Sequence, residues 1–166
     1  MEPLILTIML EPSAQAYFTQ LRTTHFPKHC NYLEAHLTLF HKLPQGKDLI
    51  TRTLEALTQR SPLSMEIDAV KSIGNGVAFQ VKCSELKKRH EILQKAFSPY
   101  LISQDRQRLW PHITVQNKVT AFKASQTLAL LQKDFKPFKV AGIGIAAWLY
   151  QGGPWEKHSE YLFTGA

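Results

Sequence analysis

"HLTLFHKLP", residues 36–44, alternates in a way that gives one strand two jobs. In extended backbone, side chains two positions apart point to the same face, about 6.6 Å apart along the chain. His36 and Thr38 therefore share a face, while Leu37 and Leu39 share the other and can enter a core. By the same parity Phe40 is expected beside His36 and Thr38, as a surface on which a base could stack. "HITVQNKV", residues 112–119, opens in the same way: His112 and Thr114 face one way, Ile113 and Val115 the other. Two such strands brought together would line a cleft with two imidazoles and two hydroxyls.

That set of groups suits phosphate-ester chemistry. A neutral imidazole accepts a proton from an attacking hydroxyl or water, and a protonated one gives a proton to the leaving oxygen. An unperturbed pKa of about 6.5 lets two histidines hold opposite protonation states near neutrality. Threonine hydroxyls can donate to non-bridging oxygens as charge develops there. The scheme calls for no metal, cofactor or covalent intermediate. Chance alone would give a chain of this composition two His-x-Thr pairs with apolar residues at all four intervening and following positions in roughly 0.3% of cases.

Working outward, the pattern alternates strands and helices. Strands are expected at 4–10, 34–40 and 112–119, and helices at 11–26, 46–60, 84–101 (opening on Ser84 as N-cap) and 120–135 (opening on Thr120). Two hairpins are expected, 63–73 with 76–83 across Gly74-Asn75-Gly76, and 138–151 with 160–163 across "GGPW". Each half thus holds a His-x-Thr strand followed by a helix and a hairpin, a repeat of order without repeat of identity. It suggests two similar lobes facing each other.

The totals agree. A chain of 166 residues, 44% hydrophobic and 20% charged, fits one soluble domain spanning 1–166. No apolar run is long enough for a membrane span, and "MEPLILTIML" reads as a first strand and not a signal peptide. Cys30 and Cys83 follow no metal-ligand spacing and read as free thiols in a reducing cytoplasm. A net charge of +7 and a pI near 9.5 point to an anionic partner, nucleic acid or a phosphorylated small molecule ahead of membrane.

The paired "HLTL" and "HITV", 76 positions apart, resemble the signature of the 2H phosphoesterase superfamily, two H-x-[ST]-x motifs with x usually apolar. "PHITV" and the late "LYQGGPW" (149–155) are similar to its bacterial 2′–5′ RNA ligase-like branch. The resemblance covers essentially the whole chain. It implies an α+β fold, bilobal and pseudo-two-fold symmetric, with two small antiparallel sheets forming a central cleft and helices outside. It implies action on 2′,3′-cyclic phosphates or 2′–5′ phosphodiester linkages of RNA or nucleotides, with His36 and His112 as the acid–base pair and Thr38 and Thr114 holding phosphate. His41 and Lys42 stand where a small residue or glycine is common in the family, which bears on the cleft's edge and on substrate size.

Arg106, Arg108 and Trp110, just ahead of the second motif, are candidate phosphate and base contacts, against the plainer reading of a solvated loop around a packed tryptophan. Tyr150 is a candidate wall of the cleft, with Trp148 assigned to the core. His25, His29, His41, His90 and His158 read as surface or capping residues, and parity points His41 away from the His36 face. A monomer is expected. The competing functional classes are a non-catalytic module binding RNA or a phosphorylated ligand in the same cleft, a metal-dependent hydrolase, and a structural protein with coincidental motifs.

Overall fold

The computed structural model describes residues 1–165. Its elements are β1 (Leu4–Leu10), α1 (Pro12–His25), β2 (Leu37–Leu43), α2 (Asp48–Leu57), β3 (Leu63–Ser72), β4 (Val77–Lys82), α3 (Ser84–Ala96), β5 (His112–Gln116), α4 (Ala121–Gln132), β6 (Phe138–Tyr150) and β7 (Trp155–Leu162). Local chemistry sets the helix starts. Pro12 occupies the first turn of α1, where its missing N–H costs nothing. The Thr120 hydroxyl accepts from the Lys123 N–H at 3.1 Å to open α4. For α3 the cap is Cys83 and not Ser84: the Cys83 sulfur accepts from the Leu86 N–H at 3.4 Å.

All strand pairings are antiparallel, in the order β2-β1-β6-β3-β4-β5, with β7 added on β6. The long β6 is the shared spine. Its Phe138–Gly142 segment pairs with β3, and its Gly144–Tyr150 segment pairs with β7. Each lobe ends in a His-x-Thr strand, β2 at one edge and β5 at the other, and the sheet curls until these two edges touch. Gly76 makes the second edge possible. A Cβ there would lie 1.9 Å from the Gln116 carbonyl oxygen, so only glycine lets β5 close against the β3–β4 turn.

The helices that link each lobe's strands pack on the opposite lobe. From α1, Phe18 meets Phe79 of β4 edge-on at 5.3 Å and Phe138 of β6 at 6.1 Å. From α3, His90 stacks on Phe40 of β2 at 4.8 Å, with Phe97 beyond it at 5.5 Å. One apolar core runs through both lobes as a result.

Phe40 corrects an expectation. It does not share the face of His36 and Thr38; it is 0% exposed in the core. The reason lies in the register: Thr38, Phe40 and Leu43 pair with Thr7, Leu6 and Leu4, so β2 carries extra residues against β1 on both sides of Phe40. A bulge resets the alternation, and Leu39 and Phe40 become consecutive buried residues followed by exposed His41 and Lys42. Phe40→Ala is therefore expected to cost about 3–5 kcal/mol of stability, measured by denaturant unfolding, as for other buried aromatic truncations.

Candidate active site

His36 is the last residue before β2 and His112 the first of β5. The two rings are held in the same manner. Nδ1 of His36 lies 2.8 Å from the Glu34 carbonyl oxygen, and Nδ1 of His112 lies 2.7 Å from that of Trp110, in each case the carbonyl two residues back. A carbonyl only accepts, so Nδ1 carries the hydrogen in both rings. The unprotonated nitrogen of each neutral ring is then Nε2. Each imidazole also lies against an indole: Trp155 beside His36 at 4.7 Å, and Trp110 stacked on His112 at 4.2 Å.

Burial pulls both rings below the ordinary histidine range. For His36 burial is the main cause, opposed by the Glu34 hydrogen bond and reinforced by the charges of Arg22, His112 and His41, and its pKa falls to about 4. For His112 burial again dominates, opposed by the Trp110 carbonyl and reinforced by His41. The charge on His112 thus acts on His36, and neither ring is favoured as a cation in the free protein.

Helix α1 seats both motifs. Three of its residues, Gln15, Thr19 and Arg22, lie on one helical face at spacings of four and three. Gln15 donates to the Ala35 carbonyl at 2.7 Å, and the Ala35 N–H donates to the Thr19 hydroxyl at 3.2 Å, which fixes the backbone just before His36. Buried Arg22 donates to Asn31 Oδ1 at 2.8 Å and to the Thr114 carbonyl at 3.3 Å, and lies over the Phe26 ring. It has no carboxylate partner among the described residues, and burial lowers its pKa to about 10.

Two cavities flank the rings. A larger one of about 600 Å³ is walled by Tyr32, Glu34, His36, Trp148, Trp155 and Lys157. A smaller one of about 160 Å³ holds Thr38, His41, Arg108, Trp110 and His112. Thr114 lies half-buried two residues beyond His112 on β5. Of the other candidates, Arg108 and Trp110 line the smaller cavity, where the indole of Trp110 donates to Gln80 Oε1 at 3.1 Å. Arg106 lies outside it and donates to the Ser98 carbonyl at 3.2 Å. Tyr150 corrects another expectation: it is 44% exposed at the end of β6 and walls neither cavity. Trp148 takes that place, its indole donating to the Thr7 hydroxyl at 3.0 Å. Strand β7 begins at Trp155, five residues earlier than expected, and this brings Trp155 to His36.

Residues not foreseen complete the rim. Asp105, buried, accepts from the N–H groups of His41 and Lys42, and its Oδ1 lies 2.9 Å from His41 Nδ1. The carboxylate thereby satisfies amides exposed by the β2 bulge and turns the His41 ring into the smaller cavity. These hydrogen bonds outweigh the effect of burial and hold the Asp105 pKa below the usual carboxylate value. Among the described residues, no group of three or more His, Cys, Asp or Glu side chains could hold a metal ion.

Two pseudo-equivalent lobes, each offering a His-x-Thr strand at the edge that faces the other, define the 2H phosphoesterase class. The sequence profile of the 2′–5′ RNA ligase superfamily matches residues 10–154, and the chain belongs to that superfamily. Searched against curated proteins, the chain has no match. Among solved structures it is similar to TT0787 of Thermus thermophilus (14% identity, TM-score 0.66), covering 98% of each chain. It is similar also to E. coli LigT bound to NADP⁺ (15% identity, TM-score 0.61) and to 3′-AMP (13% identity, TM-score 0.59), again over 98% of each chain. At these identities the likeness concerns the fold.

Proposed function

We propose that the protein opens 2′,3′-cyclic phosphates, or cleaves 2′–5′ phosphodiester bonds, of RNA or nucleotides by general acid–base catalysis between His36 and His112. The observation that carries this reading is the matched tethering of the two rings. Both Nδ1 atoms are committed to backbone carbonyls, so both Nε2 atoms are left for proton transfer.

In hydrolysis of a cyclic phosphate, one neutral Nε2 takes the proton of a water molecule as its oxygen bonds to phosphorus. The bond from phosphorus to one ribose oxygen breaks, and the other imidazolium protonates that oxygen. The cycle closes when the proton passes back through solvent. Thr38 and Thr114 donate hydroxyl hydrogens to the non-bridging oxygens. With the 5′-hydroxyl of a second strand attacking in place of water, the same proton transfers give ligation, so the pair is assigned and not the reaction it favours. In the free protein both rings are predominantly neutral at neutral pH, and an approaching phosphate anion favours recruitment of the one proton the pair requires.

The aromatic chamber of Tyr32, Trp148 and Trp155 beside His36 suits a nucleobase. The complexes of E. coli LigT with 3′-AMP and NADP⁺ support a nucleotide ligand. No helix among the described residues is long and apolar enough to cross a membrane. We place the activity in the cytoplasm, where the two free cysteines, Cys30 and Cys83, would stay reduced.

The test is incubation with each nucleoside 2′,3′-cyclic phosphate and with a 2′–5′ dinucleotide, with and without a chelator, followed by phosphorus NMR. Ring opening or cleavage that survives the chelator is expected, and the product isomer identifies the broken bond. Loss of turnover on chelation would replace this reading by a metal-dependent hydrolase. Tight binding of the substrates without any turnover would replace it by a binding module.

A further inference from the structure

Two exits lead away from the paired imidazoles, and they differ in charge. The aromatic chamber beside His36 sets Lys157 against Glu34 and Glu160. The other exit starts in the small cavity that holds Thr38 and His112. It continues past His90 and Arg108, which that cavity shares with a depression of about 380 Å³ beside α3. That depression shares Glu91, Gln94 and Arg106 with a third, of about 330 Å³, which reaches Lys95. The three adjoin one another through these shared residues and together form the candidate groove.

Its cations are Lys87, Lys95, Arg106 and Arg108, against the single free carboxylate of Glu91 among the described lining residues. The one other acid, Asp105, is engaged by His41 and two backbone amides. Lys87, Glu91, Gln94 and Lys95 recur on one face of α3. The side chains of Lys87, Lys95 and Arg108 are exposed, with no ion pair or side-chain hydrogen bond to another described residue, so their charge is free for a ligand.

We propose that this groove is the track for the sugar–phosphate backbone of a single-stranded RNA whose terminal phosphate reacts between His36 and His112. The preferred substrate is then a chain end, and a mononucleotide is a truncated version of it. Charge decides which exit the polyanion takes: the groove carries four cations against two acids, of which Asp105 is engaged, and the aromatic chamber one cation against two acids, of which Glu160 is paired with that cation. His41, held by Asp105 at the mouth of the groove, stands where the next phosphate would enter. The proposal rests on the phosphoester reading above, but its test does not need turnover.

The experiment compares the affinity of 3′-AMP with that of an oligoadenylate of about six nucleotides ending in the same 3′-phosphate, by calorimetry across roughly 50–200 mM salt. The oligonucleotide is expected to bind at least about tenfold tighter, with a log–log salt slope steeper by about 2 if three further phosphates are engaged. The triple change Lys87→Gln, Lys95→Gln and Arg108→Gln is expected to remove most of that advantage. Lys133→Gln with Lys136→Gln, just beyond α4, should leave it in place. Equal affinity for the two ligands, or a length advantage that survives the triple change, would overturn the proposal. A length advantage without any ring opening by the wild type would spare it and count against the catalytic reading alone.

Discussion

Alanine in place of either His36 or His112 is expected to lower the turnover of a cyclic phosphate by about 10²- to 10⁴-fold, with the circular dichroism spectrum unchanged. The size follows from the role. Each ring is tethered through Nδ1 and offers only Nε2, so under the proposed mechanism its removal deletes one of two proton transfers and leaves the rest of the cleft standing. The double variant is expected to be little slower than either single one, because groups that act as a unit lose most of their effect with the first deletion. Steady-state rates of the three variants in the presence of a chelator check this. Additive losses would mean two groups working independently, as two phosphate-binding contacts would. A loss confined to KM would place the rings in binding and not in chemistry.

The second large effect is in the pH profile. Under the proposed mechanism the productive free protein holds one protonated and one neutral imidazole. His36 lies near 4, and His112 lies below the ordinary histidine value of 6.5. The sign follows directly: a lowered pKa means the proton leaves at lower pH, so above the His112 value both rings are neutral and the acid is missing. The ratio kcat/KM, which reports the free protein, should peak on the acid side of 6.5. It should then fall tenfold per pH unit, to about one thirtieth of its maximum or less by pH 8. A plateau extending to pH 8 would show that at least one ring keeps its proton in the free cleft.

Much of this is legible in the sequence, and the failures have identifiable physical causes. Alternation places Leu37, Leu39, Ile113 and Val115 in the core, and the two His-x-Thr strands occupy facing edges because each half repeats the same order of elements. Parity fails at Phe40 and His41 because a bulge adds residues that no local pattern announces. What stabilises that bulge, Asp105, lies 64 positions from His41. Arg22 sits in a helix that periodicity identifies, but nothing local shows that its buried guanidinium reaches the backbone of β5, 92 positions away. Trp155 has the local signature of a turn. The pairing of Tyr150 with Trp155 begins β7 there and delivers the indole to His36. In each case the missing information is a tertiary partner.

The central claim is that two imidazoles with free Nε2 atoms share one cleft and sense one another's charge, and nitrogen-15 NMR titration of the histidine rings tests it most directly. The wild type is predicted to show His36 and His112 as Nδ1–H tautomers, both titrating below 6.5. In His112→Ala, His36 should titrate at higher pH, since the neighbouring charge that opposes its protonation is gone. Nε2–H tautomers, or a His36 titration indifferent to the loss of His112, would contradict the account, because neither ring would then be an available base poised against the other.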